Sequence, residues 1–302
     1  MLQHNARSSP WPTYVWPAGK CSAFCFTVDV DAESPLLWNL REQSAHATIG
    51  QLEQRSYGPR VGIWRLLDLL QRHGIKASFF VPGIVAENHP ELLPAFVERG
   101  HEVGLHGYFH EIVSQVSDAE FTGALDASLE IFHRQVGITP KGFRSPAWEM
   151  TSHMISELVA RGLYDSSLSG FDNPYTVGGV VEIPVQWALD DAVYFKFLGG
   201  GVDKWAPSPP GPVLEGWIDE WEMLHAEGSV FMLTVHDWIA GRAYRIRLLE
   251  KLLERVLASP GAWVATVGEL AAYHASSVNN ARYQVPLKTP QLIAGRRFGR
   301  NA

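Results

Sequence analysis

The sequence predicts an α/β fold with a parallel sheet, closed as a single (β/α) barrel. Three observations lead there. Apolar runs of strand length alternate with amphipathic helical stretches along the whole 302-residue chain. No linker and no internal repeat divides it, and its length suits one large barrel better than two average domains. No G-x-G-x-x-G or phosphate loop follows the first strand, so an open doubly wound sheet, the second choice, lacks its usual nucleotide site.

The elements follow in order. Residues 1–20 carry Pro10, Pro12 and Pro17 among Trp11, Tyr14 and Trp16, and read as an N-terminal arm laid over the body. The barrel proper is expected over 21–276. Residues 21–30, rich in Phe, Val and Cys, form a buried strand. It runs out into Asp29, Asp31 and Glu33, acids that are costly to bury without partners. The stretch 34–60 is long for a connection and reads as a functional loop over the site. Residues 61–73 place Val61, Trp64, Leu66, Leu67, Leu69 and Leu70 on a helical face, with Gly74 as the stop. A strand over 76–81 is closed by Pro82-Gly83, a helix covers 90–99, and 102–105 is the next strand. Ser117 and Glu120 form a capping box that opens a helix to Gln135. A short strand covers 142–144, and Thr151 caps a helix through Val159. Strands over 164–167 and 180–185 flank a loop at 170–179. Then come a helix over 212–227, a strongly apolar strand over 229–235 ending in His236-Asp237, a helix over 242–257 and a strand over 263–267. Glu269 to His274 begins the last helix. The tail 277–302 is basic, with Arg282, Lys288, Arg296, Arg297 and Arg300.

Composition excludes several functions. Hydrophobic content of 46% with 19% charged residues indicates a large core. A net charge of −7 argues against general nucleic-acid binding. No apolar run approaches the roughly 18 residues of a membrane span, so no membrane partner is expected. Residues 1–16 are polar and proline-rich, so no secretory signal is expected and the cytoplasm is the default compartment. Cys21 and Cys25 read as small residues of one strand rather than a redox pair.

The chemistry centres on His106-Gly107-Tyr108-Phe109-His110. Two imidazoles four residues apart meet one ion if the segment turns helically. Alone, with twelve histidines in the chain, the pair reads equally well as two surface residues. Other strand ends supply partners: Asp29, Asp31, Arg144, His236, and Asp190 or Asp191. In a barrel all strand C-termini share one rim, where such active sites lie. Two histidines and one carboxylate make a three-ligand zinc set, with a position left for water. A second carboxylate can take the water's proton, a histidine opposite can protonate a leaving amine, and an arginine can keep the base charged. Those parts hydrolyse an amide-type C–N bond.

Over residues 20–270 the chain resembles the polysaccharide deacetylase family, the metal-dependent N-deacetylases of carbohydrate esterase family four. The matching pieces are Thr27-Val28-Asp29-Val30-Asp31, Ala77-Ser78-Phe79-Phe80-Val81-Pro82-Gly83, Gly100 through His110, Phe143-Arg144-Ser145-Pro146-Ala147-Trp148 and Leu233-Thr234-Val235-His236. The resemblance implies a distorted (β/α) barrel of about seven parallel strands. It implies Asp29 as base, Asp31, His106 and His110 as metal ligands, and Arg144 tuning Asp29. It also implies His236 as general acid, oriented by Asp190 or Asp191, with Asp191 taken as the catalytic one. Zinc is the first choice of divalent metal, with Co, Mn or Ni as alternatives.

One departure from the family pattern is informative. The family motif has two adjacent aspartates followed by glycine; here Val30 separates them and Ala32 stands at the glycine position. Residues i and i+2 share one face of a strand, so both still suit one site, but base and ligand are interchangeable on this ground alone. The separated form resembles the subgroup of peptidoglycan-deacetylase-like proteins, cofactor-free allantoinases and cyclic imide hydrolases. The expected substrate is therefore a small molecule or an amino sugar, with hydrolysis of cyclic imides or ureides as the alternative. An inactive binding protein is the further alternative, disfavoured because it has no need of Asp29 and His236. Trp148, Trp187 and Tyr108 are the expected substrate contacts, ahead of Trp38, Trp205 and Trp217. Glu33 reads as a solvated loop carboxylate. The remaining histidines, His89 among them, read as ordinary. Long loops, arm and tail predict an enclosed site in a homo-oligomer.

Overall fold

In the computed structural model, which describes residues 11, 13–41, 49–199 and 201–289, the run Ser22–Asp29 forms β1 inside the sheet. All eight of its residues are buried. Enclosing a side chain such as Phe24 or Phe26 contributes about 1.5–3 kcal/mol. The chain continues through α1 (Ser34–Leu40), α2 (Ile49–Tyr57), a π-helical turn at Gly58–Gly62 and α3 (Ile63–His73) to β2 (Ser78–Val81). Helices α4 (Gly83–Asn88) and α5 (Leu92–Glu98) precede β3 (Glu102–Leu105), α6 (Asp118–Val136) precedes β4 (Gly142–Phe143), and α7 (Ser152–Arg161) precedes β5 (Tyr164–Asp165). Then come β6 (Tyr175–Val177), β7 (Val180–Glu182), α8 (Asp191–Phe195), α9 (Pro210–Glu227) and β8 (Val230–His236). The described chain finishes with α10 (Asp237–Ala240), α11 (Ala243–Leu257), β9 (Ala262–Val264), α12 (Val267–Ser276) and β10 (Gln284–Val285).

The strands lie in the order β10-β6-β7-β5-β4-β3-β2-β1-β8, and β9 pairs with the first half of β1. All pairings are parallel except β6 with β7. The seven consecutive strands from β7 to β8 form the curved core expected of a distorted barrel. A bridge between Asp190 and Thr234 brings the chain after β7 back to β8, the far edge of that row. The register matters for chemistry: β1 and β8 pair from Ala23↔Val230 to Asp29↔His236, so both strands deliver a polar residue at the same level.

Local signals account for several helix ends. Ser117 with Glu120 and Thr266 with Glu269 form complete capping boxes, and Gly74, Gly137, Gly162 and Gly228 end helices in the left-handed conformation. The last helix thus starts at Val267, and β9 ends at Val264 rather than running to 267.

The stretch 34–60, expected as loop, is mostly helical where described. Pro35 sits in the first turn of α1, where its fixed φ suits a helix, and α2 buries Arg55 and Ser56. Residues 42–48 lie outside the described residues. The stretch 170–179 is also not all loop. Tyr175–Val177 forms a hairpin with Val180–Glu182 across Gly178-Gly179, both at positive φ, as a two-residue turn requires. Helices α4 and α8 are further additions, too short to show a period.

The arm lies on the body where it is described. The Val15 N–H donates to Asn280 Oδ1 (3.0 Å), the Trp16 Nε1–H donates to the Gly228 carbonyl (2.9 Å), and Tyr14 packs against Tyr283. Of the basic tail, Arg282 and Lys288 are within the described residues, while Arg296, Arg297 and Arg300 lie outside them.

Candidate active site

The site begins where β1 ends. Asp29 is buried, and so is Arg144, which follows β4. Arg144 Nη1 donates to Asp29 Oδ1 (2.8 Å) and Thr27 Oγ1 (2.8 Å), Nε to the Ser166 carbonyl (2.9 Å) and Nη2 to Ser166 Oγ (2.9 Å). Its guanidinium also lies 4.2 Å from the Phe80 ring centre. A buried ion pair is tolerable when hydrogen bonds compensate both charges, as they do here. Arg144 occupies Oδ1 of Asp29, and Asp29 Oδ2 lies 3.9 Å from His106 Nε2.

Asp31, two residues on, shares the site with His106 and His110. Its Oδ1 lies 3.5 Å from Nε2 of each. The two histidines are not on a helix: Gly107 (φ +69°) and His110 (φ +59°) fold the segment into a turn. Glu111 fastens that turn, accepting from the Tyr108 N–H (2.9 Å) and the Phe109 N–H (3.1 Å). A Cβ on Gly107 would stand 2.2 Å from Glu111 Oε2, so glycine is required there. His106 Nδ1 lies 2.7 Å from the Arg144 carbonyl, which only accepts, so Nδ1 carries a proton and Nε2 is the atom turned toward Asp31. Burial pulls the His110 pKa down to about 4, which leaves that imidazole neutral. Burial opposes ionisation of Asp31, but His110, His106 and His236 together hold its pKa well below the usual range.

These residues fit a divalent ion. Asp31 Oδ1 is buried with no hydrogen-bond partner, although it lies between two imidazoles. Ligand atoms about 2.1 Å from a tetrahedral ion stand about 3.4 Å apart, close to the spacing observed. The charged carboxylate and the neutral His110 are donor states such an ion needs. Burial opposes protonation of His106, but Asp29 and Asp31 hold its pKa above the ordinary histidine value, so an ion would displace its second proton.

His236 closes the opposite side. Its Nδ1–H donates to Asp191 Oδ1 (2.7 Å), and its Nε2 lies 3.9 Å from Asp31 Oδ2. Burial would lower its pKa, but the charge of Asp190, the hydrogen bond and charge of Asp191, and Asp31 hold it well above the ordinary histidine value. Asp191 also accepts from the His236 backbone N–H (3.2 Å), which fixes the pair. Asp190, next in sequence, caps α8 through the Ala192 N–H (2.6 Å) and lies 3.8 Å from His236 Nδ1. Burial raises its pKa to about 7.

Trp148 and Trp187 pack with ring centres 4.2 Å apart and planes tilted by 32°, and half of Trp187 faces solvent. Tyr108 is not brought to the group: its hydroxyl donates to Glu87 (2.6 Å) and its ring packs against Gly83. Glu33 is not solvated. It is buried, accepts from Asn88 Nδ2 (3.0 Å) and pairs with His89 Nε2 (3.0 Å), so His89 is more than ordinary packing. The four non-glycine residues at positive φ among those described, Ala32, His110, Ala147 and Trp148, each belong to or adjoin the segments that build the site. Backbone strain concentrates at functional positions in this way. Sequence reading did not single out Arg55, Glu111 or Asp237. Glu111 had a signal, an acid directly after the second histidine; a buried arginine on α2 had none.

Known proteins resemble this chain in sequence and in fold. The model of the polysaccharide deacetylase family matches residues 56–164, which hold His106, His110 and Arg144. A Mycobacterium smegmatis protein assigned to the polysaccharide deacetylases is 33% identical, with a TM-score of 0.84 over 93% of this chain and 99% of that one. A peptidoglycan deacetylase of Helicobacter pylori is 27% identical over 82% of this chain and 94% of its own. A solved allantoinase shares the fold, with a TM-score of 0.75 at 22% identity over 89% of this chain and 95% of that one.

Proposed function

The chain belongs to the polysaccharide deacetylase family, hydrolases of non-peptide C–N bonds, and from that premise we propose that it is a zinc-dependent amide hydrolase. The observation that carries the metal is the buried, unpartnered Asp31 Oδ1 held 3.5 Å from both His106 and His110. Zinc bound there would polarise the amide carbonyl and acidify a water molecule. Asp29 takes the proton of the attacking water at Oδ2, the oxygen that Arg144 leaves free. His236, doubly protonated and fixed through Nδ1 by Asp191, offers its Nε2 proton to the departing nitrogen. The exposed face of Trp187, backed by Trp148, receives the body of the substrate.

The substrate is a small N-acylated molecule or a terminal amino sugar. Asp31, His106 and His236 are nearly enclosed, which suits entry of a small group better than passage of a polymer interior. The same enclosure favours one second reading, hydrolysis of a small cyclic imide or ureide. The free thiols Cys21 and Cys25 suit the cytoplasm. Among the described residues no helix is long and apolar enough to cross a membrane.

The test is turnover by metal-loaded protein on N-acetylated amino sugars, their oligomers and succinimide-like rings. Release of acetate from the short sugars supports the first reading, and ring opening alone selects the second. No turnover on any, with metal bound, would favour a binding protein.

A further inference from the structure

We propose that Arg55 is a positioning residue that clamps Asp31 and the strained peptide behind it, leaving one carboxylate oxygen free for the metal. The inference rests on the reading of Asp31 as a ligand. Arg55 lies on α2 and is 6% exposed. Its Nη1 stands 3.7 Å from Asp31 Oδ2 and donates to the Ala32 carbonyl at 3.4 Å. Its guanidinium carbon lies 4.4 Å from the Trp238 ring centre. A buried guanidinium with so few acceptors is held by its surroundings rather than by its own bonds.

The need for a clamp comes from Ala32. Its φ is +43°, a left-handed conformation that costs a residue with a Cβ about 1–2 kcal/mol. The Ala32 N–H donates to Asp237 Oδ1 (3.3 Å) while Arg55 holds the carbonyl, so the strained residue is gripped at both ends. Glycines let the two grips converge. A Cβ on Gly58 would stand 1.8 Å from Asp237 Oδ2, and one on Gly62 would stand 2.1 Å from the Asp237 carbonyl. The π-helical turn beside Arg55 can therefore lie directly on α10, which carries Trp238. Arg55 occupies the Oδ2 side of Asp31, and Oδ1 is the oxygen left between His106 and His110.

Charge and geometry make opposite predictions. A cation beside a ligand carboxylate repels a metal ion, so by charge alone loss of Arg55 would tighten metal binding. By the clamp, loss of Arg55 lets the ligand wander and weakens it. The experiment titrates Zn²⁺ alone, by calorimetry, into chelator-stripped wild type, Arg55→Met, Arg55→Lys and Arg55→Met with Ala32→Gly, alongside thermal melts of each apo form. Arg55→Met should weaken zinc binding by about 10–100-fold, the usual cost of losing a residue that orients a ligand. Arg55→Lys keeps the charge but not the fork, and should weaken it by about 10-fold. Ala32→Gly should restore part of the loss, because glycine holds that φ without penalty. Unchanged or tighter zinc binding in Arg55→Met would overturn the clamp. Should that variant lose its cooperative melt, Arg55→Lys decides on the same criterion. Failure of the wild type to bind one zinc per chain would instead overturn the metal reading itself.

Discussion

Replacing Arg144 by Met removes the one cation that holds Asp29. The side chain is fully buried and makes hydrogen bonds of 2.8–2.9 Å to Asp29, Thr27 and Ser166. Methionine fills part of the volume but leaves a buried carboxylate without a partner. Breaking a buried pair from one side costs about 3–5 kcal/mol, so Arg144→Met should lose that much stability. In a chain of this size the loss should lower the melting temperature by roughly 5–10 °C. The double variant Arg144→Met with Asp29→Asn removes the stranded charge as well. It should therefore recover at least ~2 kcal/mol relative to Arg144→Met, a non-additivity expected of residues in contact. Urea unfolding of the metal-free proteins at pH 7.5 measures all four corners of the cycle. Additive effects, or a cost below ~1 kcal/mol for Arg144→Met, would refute the claim that Arg144 exists to hold Asp29 in place.

Three further outcomes are expected. Asp29→Asn should keep the metal and lose about 10²–10⁴-fold in kcat, whereas Asp31→Asn should lose the metal; elemental analysis of the two proteins showing the reverse would exchange their roles. Gly107→Ala should weaken metal binding without unfolding the barrel, because its φ is +69° and a Cβ would strike Glu111; zinc titration beside an unchanged melt of the apo-protein checks it. Acid should destabilise the fold through His101 and His274, whose pKa values burial pulls down to about 4 from 6.5. Between those values the unfolded chain binds more protons, so stability is complete above pH 6.5 and falls as pH drops toward 4. His101 Nδ1 accepts from the Ala77 N–H (3.2 Å), which requires the neutral ring. His101→Gln should flatten the pH dependence of the urea midpoint over that window, and an unchanged slope would contradict the assignment.

Much of this architecture was legible in the sequence because its signals are local. The continuous apolar run of β1 and the capping residues Ser117 and Thr151 act within a few residues of themselves, whereas Thr266, read as part of a strand, caps the last helix. Asp29 and Asp31 sharing a face follows from strand geometry alone. What escaped depends on distant contacts. Around α2 and the turn after it, Gly50, Gly58, Pro59 and Gly62 resemble loop punctuation until Gly58 and Gly62 are seen to lie against Asp237 at the start of α10. Arg55 was not singled out because nothing nearby in sequence shows Trp238 and Asp31 closing over it. The turn between His106 and His110 escaped because i, i+4 spacing suits a helix equally well, and only the Gly107–Glu111 contact decides. Tyr108 was drawn into the site by its neighbours, yet its alternation along the turn points it at Glu87. Glu33 found its partner on α4, a helix too short to be read.

The central claim is that one divalent ion is held by Asp31, His106 and His110. Two groups of acids and histidines among the described residues have metal-like spacing: that one, and Asp190 with Asp191 and His236. A zinc-soaked crystal, with anomalous data collected across the zinc edge, separates them. The account predicts one strong peak per chain, about 2.0–2.2 Å from Asp31 Oδ1 and from Nε2 of His106 and His110. A peak between Asp190, Asp191 and His236, with none at Asp31, would contradict it.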